Sequence, residues 1–204
     1  TVDLRIPDLA DDGVHIFRGS LFMGESHESD QALQDAGISE GGDGPELTIA
    51  AGATLAFQSN EQFVVINRGS RILAVGSAEE PITFTSVSDV NGDLARPGAD
   101  GAEAVQQWGG MVINGFGVTN DCAYTGNLDD GTLQLDGECH VQSEGSAGQD
   151  ENRHGGNNNA DDSGRLEYVI VKHTGAQVAS GDELNGITFS AVGSNTVVEN
   201  LQVY

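Results

Sequence analysis

The chain has 204 residues, enough for one domain with a real core; its apolar content of 37% and aromatic content of 5% are low, and its 29 glycines are many. Eight basic residues stand against 32 acidic ones, a formal charge of −24, so the surface repels nucleic-acid phosphates and anionic membrane surfaces. No run of 18 apolar residues occurs, so no membrane insertion is expected, and the β-branched apolar runs that keep returning exclude disorder of the whole chain.

Residues 1–45 are poorly patterned and read as an N-terminal cap or irregular segment. Within them Val14–Gly24 suggests one or two strands, and the polar stretch Glu25–Gly44 suggests a short helix around Gln31–Ala36. From Glu46 the character changes. "ELTIAAGATLAFQ", "FVVINRGSRILAVG" and "PITFTS" alternate short strands with Gly, Ser and Asn bends. A loop with at most one helical turn follows, then the strand "WGGMVING". The single Trp108 in it is expected to cover the edge of the core.

Residues 116–164 carry little apolar content. A structureless loop of that length is uncommon in a compact domain. It therefore reads as an insertion projecting from a regular body. It holds both cysteines, Cys122 and Cys139. A disulfide between them is one reading; a metal site with His140 and His154 is the other. The spacing matches no zinc pattern, so the disulfide is expected, and with it an oxidising compartment.

Strands resume at Leu166 and run to the end. Across 46–204 they are short and return about every 20 residues, with hairpin dipeptides nearly absent, which is the signature of a solenoid. The expected fold is all-β: a right-handed parallel β-helix with a long, disulfide-stapled loop insertion. Ile49, Leu55, Ile72, Ile82, Phe84, Val112, Val169, Ile187, Phe189 and Val198 are expected inside it.

"LTIAAGATLAF", "GSAEEPITFTS", "WGGMVING", "DDSGRLEYVIVKHTG" and "LNGITFSAVGSNTVVENLQVY" resemble a widespread group of secreted bacterial parallel β-helix repeat proteins, often lipoproteins or surface proteins. The resemblance covers residues 46–204, more weakly in the insertion. It implies fold and a secreted or cell-surface bacterial location. It implies little about activity, because fold does not fix function. It also implies further rungs beyond "ENLQVY", so a chain from Thr1 to Tyr204 is expected to be a fragment or a processed form.

Acidity this strong suits solubility, or it supplies hard oxygen ligands for Ca²⁺. Two stretches are candidates. "DVNGDLARPGAD" places Asp89, Asn91, Asp93 and Asp100 at the offsets of a calcium loop, though Leu94 stands where the turn Gly belongs. "GQDENRHGGNNNADDSG" gathers Asp150, Glu151, Asn157, Asn159, Asp161 and Asp162 where the insertion rejoins the body. Asp129, Asp130 and Asp136 form a weaker group. There is no Gly-x-Ser-x-Gly elbow, no HxH or HxxxH pair and no phosphate loop leading into a helix, so no catalytic residues are assigned.

Two functions follow. One is an extracellular structural or interaction protein, stabilised by calcium and able to assemble end to end with copies of itself, or with other surface components, into filaments or a layer. The other is a protein acting on polysaccharides, either a lyase or glycosidase or a glycan-binding module without catalysis.

Overall fold

The computed structural model describes residues 2–95, 104–143, 152–179, 182–183 and 185–204. Their strands wind as a coil whose successive turns pair in parallel on three faces. The first turn is Leu4–Ile6, Val14–Phe17 and Leu21–Met23. The second is Glu46–Ile49, Thr54–Phe57 and Phe63–Ile66, and the third is Arg71–Val75, Ile82–Ser86 and Gly110–Asn114. Gly164–Val171 and Ile187–Ser190 make the fourth, and Val197–Val203 lies on two faces of a fifth. This is the expected parallel β-helix.

Period-2 alternation turns every second side chain inward, and the parallel register stacks equivalent positions. One inward ladder runs Ile6, Ile49, Ala74, Leu166. Others run Leu55, Phe84, Val171 and Met23, Ile66, Ile113. All of these side chains are buried in one core. Trp108 is fully buried, not at the core edge: it stacks on Phe57 at 4.4 Å, and its Nε1–H donates to the Lys172 carbonyl at 2.7 Å.

Gly164–Val171 turns a corner in mid-strand. Its first half pairs with Arg71–Val75 and its second with Ile82–Ser86, and Tyr168 stands between at φ 51°. Val197–Val203 repeats the corner above it at Asn200, φ 53°.

Further expectations need correction. Phe189 and Val198 hold inward register positions above Ile113 and Leu166, yet remain 36% and 41% exposed, because among the described residues no further turn covers them. Val112 is buried, but on the opposite side of its strand from Met111 and Ile113, in a second cluster with Phe63 and Val65. The solenoid also begins upstream of Glu46. Residues 4–23 form a complete turn paired with the next, where the sequence reading has a cap.

The helix Asp30–Ala36 follows that first turn. Ser29 caps it by accepting the Ala32 N–H, and Gly37 closes it in the left-handed region at φ 72°. The insertion carries two antiparallel hairpins, Tyr124–Thr125 with Gln134–Leu135 and Val141–Gln142 with Arg153–His154. The disulfide Cys122–Cys139 staples it, with Cα atoms 5.6 Å apart. Both sulfurs are thereby committed, so the alternative metal site with His140 and His154 falls away.

Candidate functional site

Between Phe63–Ile66 and Arg71–Val75 the coil bends through Asn67–Ser70. The Asn67 N–H donates to the Met23 carbonyl, and Gly69 takes φ 85°. This bend drives Arg68 beneath the insertion, where it is 4% exposed. A buried guanidinium is stable only if its N–H groups find acceptors. Nη1 donates to the carbonyls of Cys139 at 3.0 Å and Gly155 at 2.7 Å. Nη2 donates to the His27 carbonyl at 2.9 Å and to His140 Nδ1 at 2.8 Å. The cation lies over the Phe116 ring, 5.1 Å from its centroid. Burial pushes its pKa down to about 10, against the pull of Asp30. One residue thus joins the coil, the N-terminal segment and the insertion.

Around it opens a cleft of about 570 Å³. The helix supplies Asp30, Leu33 and Gln34, followed by Ile38 and Ser39; the insertion supplies Leu135, Cys139, Asn157 and Asn158; Arg68 and Phe116 are also in its lining. Apolar surface from Leu33, Ile38, Phe116 and Leu135 therefore meets amide, hydroxyl and carboxylate groups.

Beside the cleft, His140 Nε2 lies 3.0 Å from an Asp30 oxygen and 3.6 Å from a Glu138 oxygen. Among the described residues this is the one cluster of three His, Cys or carboxylate groups close enough to share an ion. Two carboxylates and an imidazole are a plausible donor set for a divalent metal. The second nitrogen argues otherwise. Metal-bound histidine normally donates from its other ring nitrogen to an acceptor. Here Arg68 donates to Nδ1, and a guanidinium cannot accept, so the neutral ring carries its proton on Nε2. The cluster is therefore an imidazole whose Nε2 lies near two carboxylates without meeting either in hydrogen-bonding geometry.

The calcium candidates are placed as follows. Asp161 is 1% exposed; one oxygen accepts the Gly41 N–H at 2.7 Å and the other the Phe116 N–H at 3.0 Å. Asp162 accepts the Gly164 N–H and pairs with Arg71 at 3.1 Å. Asn159 accepts the Val118 N–H, and Asn157 lines the cleft. Asp89 faces Lys172 at 2.6 Å, Thr85 at 2.6 Å and His173 at 3.5 Å. Asn91 closes the helical turn Val87–Val90, and Asp93 opens the 3₁₀ turn Asp93–Ala95. Asp130 accepts two bonds from Thr132 in a local turn. Asp100, Asp150 and Glu151 lie outside the described residues. The structure brings Asp161 and Asp162 together, but as staples between the insertion and the coil.

Arg68, Asp30, Glu138 and the ring geometry of His140 escaped the sequence reading. The available signal was scarcity: with eight cations in the chain, an arginine inside the turn "NRGSR" has no surface role to explain it.

A family model described as a pectate-lyase like beta helix domain matches residues 36–204. No curated protein and no solved structure gives a significant match.

Proposed function

We propose that this chain, which belongs to the family of pectate-lyase like beta helix domains, is an extracellular module that binds saccharide in the cleft beneath the helix Asp30–Ala36 without cleaving it. The observation that carries the reading is the cleft lining. Sugars present C–H faces and hydroxyl edges, and Ile38 and Leu135 offer the first a surface, backed by the buried Leu33 and Phe116, while Gln34, Ser39, Asn157 and Asn158 offer the second partners. The disulfide supports an extracellular setting.

Binding without catalysis fits the charges better than cleavage. Glycoside hydrolysis needs two carboxylates flanking the bond. Asp30 is the one carboxylate among the cleft-lining residues described. A lyase needs a cation against its acidic sugar, but both terminal nitrogens of Arg68 are already hydrogen-bonded within the protein. A field of −24 disfavours acidic polysaccharides further, so the ligand class is neutral.

Affinity electrophoresis through gels containing neutral or acidic soluble polysaccharides tests this. The expected result is retardation in a neutral glycan, weakened by Gln34→Ala and abolished by Leu135→Trp, which fills the cleft. No retardation by any glycan, or equal retardation of both variants, would end the reading.

A further inference from the structure

We propose that His140 is a pH-sensitive latch that ties the insertion to the coil beside the cleft at neutral pH and releases it in mild acid; this rests on the cleft reading above. Three elements converge on its ring. Arg68 from the coil bend donates to Nδ1 at 2.8 Å. Asp30, in the first turn of the helix wall, lies 3.0 Å from Nε2. Glu138, on the insertion wall with His140 itself, lies 3.6 Å away. Arg153 reaches the His140 carbonyl at 3.3 Å and pairs with Glu28 at 3.9 Å.

The Arg68 bond fixes the tautomer, with the lone pair on Nδ1 and the proton on Nε2 near the carboxylates. A second proton can enter only at Nδ1. There it would confront an N–H of Arg68, donor against donor. The side chain is 8% exposed, so bulk water has little access to part the two groups. Protonation and the Arg68 contact therefore exclude each other. Burial first, then Arg68, oppose the second proton, while Asp30 and Glu138 favour it; the balance lies below an ordinary histidine, so the closed form holds at neutral pH. Once protonated, the ring parts from Arg68, and the insertion loses a tie to the coil beside the cleft.

Amide hydrogen exchange of the whole chain, read by mass spectrometry between about pH 7.5 and about pH 5 and corrected for intrinsic rates, tests the latch without any ligand. Peptides within 118–143 should lose protection, approaching about tenfold per pH unit below the ring's pKa, while the helix Asp30–Ala36 and the coil strand Phe63–Ile66 keep theirs. Asp30→Asn removes a carboxylate that favours the second proton, so the loss should move to lower pH. His140→Gln keeps an acceptor for Arg68 and cannot titrate, so its protection should not depend on pH in this range. Unchanged protection in the parent chain would overturn the latch, as would a His140→Gln variant that still opens, or an Asp30→Asn shift to higher pH. Should His140→Gln fail to fold, ring ¹⁵N shifts of the parent decide: a proton on Nδ1 at neutral pH refutes the mechanism. Acid opening in a chain that binds no saccharide would refute the cleft reading and leave the latch intact.

Discussion

Asp161 shows how one side chain can hold an insertion to a solenoid. Its two oxygens take N–H groups from Gly41, 120 residues upstream, and Phe116, 45 residues upstream. A Cβ on Gly115 would lie 2.9 Å from one Asp161 carboxylate oxygen and a Cβ on Gly41 3.2 Å from the other, so the carboxylate sits against glycine backbone on both sides. Hydrogen bonds to a buried charged acceptor contribute about 1.5–3 kcal/mol each, and an amide in the same place keeps one acceptor and adds a donor with nothing to receive it. Asp161→Asn should therefore destabilise by about 2–3 kcal/mol. The expected loss is the same with added calcium and with chelator at matched ionic strength, because both oxygens already have partners. Urea unfolding of the variant and its parent in both conditions measures it, and a loss seen only with calcium would turn the staple into a ligand.

At the scale of elements, corners decide stability as much as strands do. Tyr168 and Asn200 stack at one corner in the left-handed region, at φ 51° and 53°. Asparagine tolerates that conformation; a bulky residue there costs roughly 1–2 kcal/mol. The Tyr168 side chain is 36% exposed, so its burial offsets only part of the strain. Tyr168→Asn should raise stability by about 1 kcal/mol, and Asn200→Tyr should lower it by a similar amount. Paired denaturation midpoints check the two, and loss in both would show that phenol packing outweighs the backbone. Legibility in the sequence follows the same division. Strands such as "ELTI" and "ITFTS" were readable because alternation and β-branched residues survive without context. The first turn was legible only in part: "VHIF" and "LFM" lie in a stretch that reads as one or two strands, but "LRI" is too short and too polar to show a period, so nothing marks the three as one turn. The site was still less legible. Asp30 and His140 stand 110 positions apart, and no local pattern announces that a coil and a stapled insertion will bring them together.

For the whole molecule, charge and protonation pull in opposite directions, and the magnitudes decide by pH range. A field of −24 favours every added proton in the compact state, where charges lie closer than in the unfolded chain. Local burial does the reverse at His140 and His154, whose proton affinities are held below the ordinary value, first by desolvation and then by Arg68. In the unfolded chain both take protons near pH 6.5. Between that pH and their lower folded values the unfolded state binds more protons, so stability falls as pH falls through this window and is full above it. Most carboxylates are still ionised there, so the histidines act alone. Further down, Asp43 and Asp89 are also held below the usual range, Asp43 chiefly by Ser39, and Asp89 by Lys172 and Thr85 against the opposing effect of burial. Their contribution is present above about pH 3.8 and is lost as pH falls through their folded values. Thermal midpoints at constant ionic strength should thus decline in two steps, a shallow one below about pH 6.5 and a steeper one below about pH 4. His154→Gln should flatten the first step and leave the second. A midpoint that rises on acidification from neutral pH would mean that relief of repulsion across the whole surface outweighs the two buried rings.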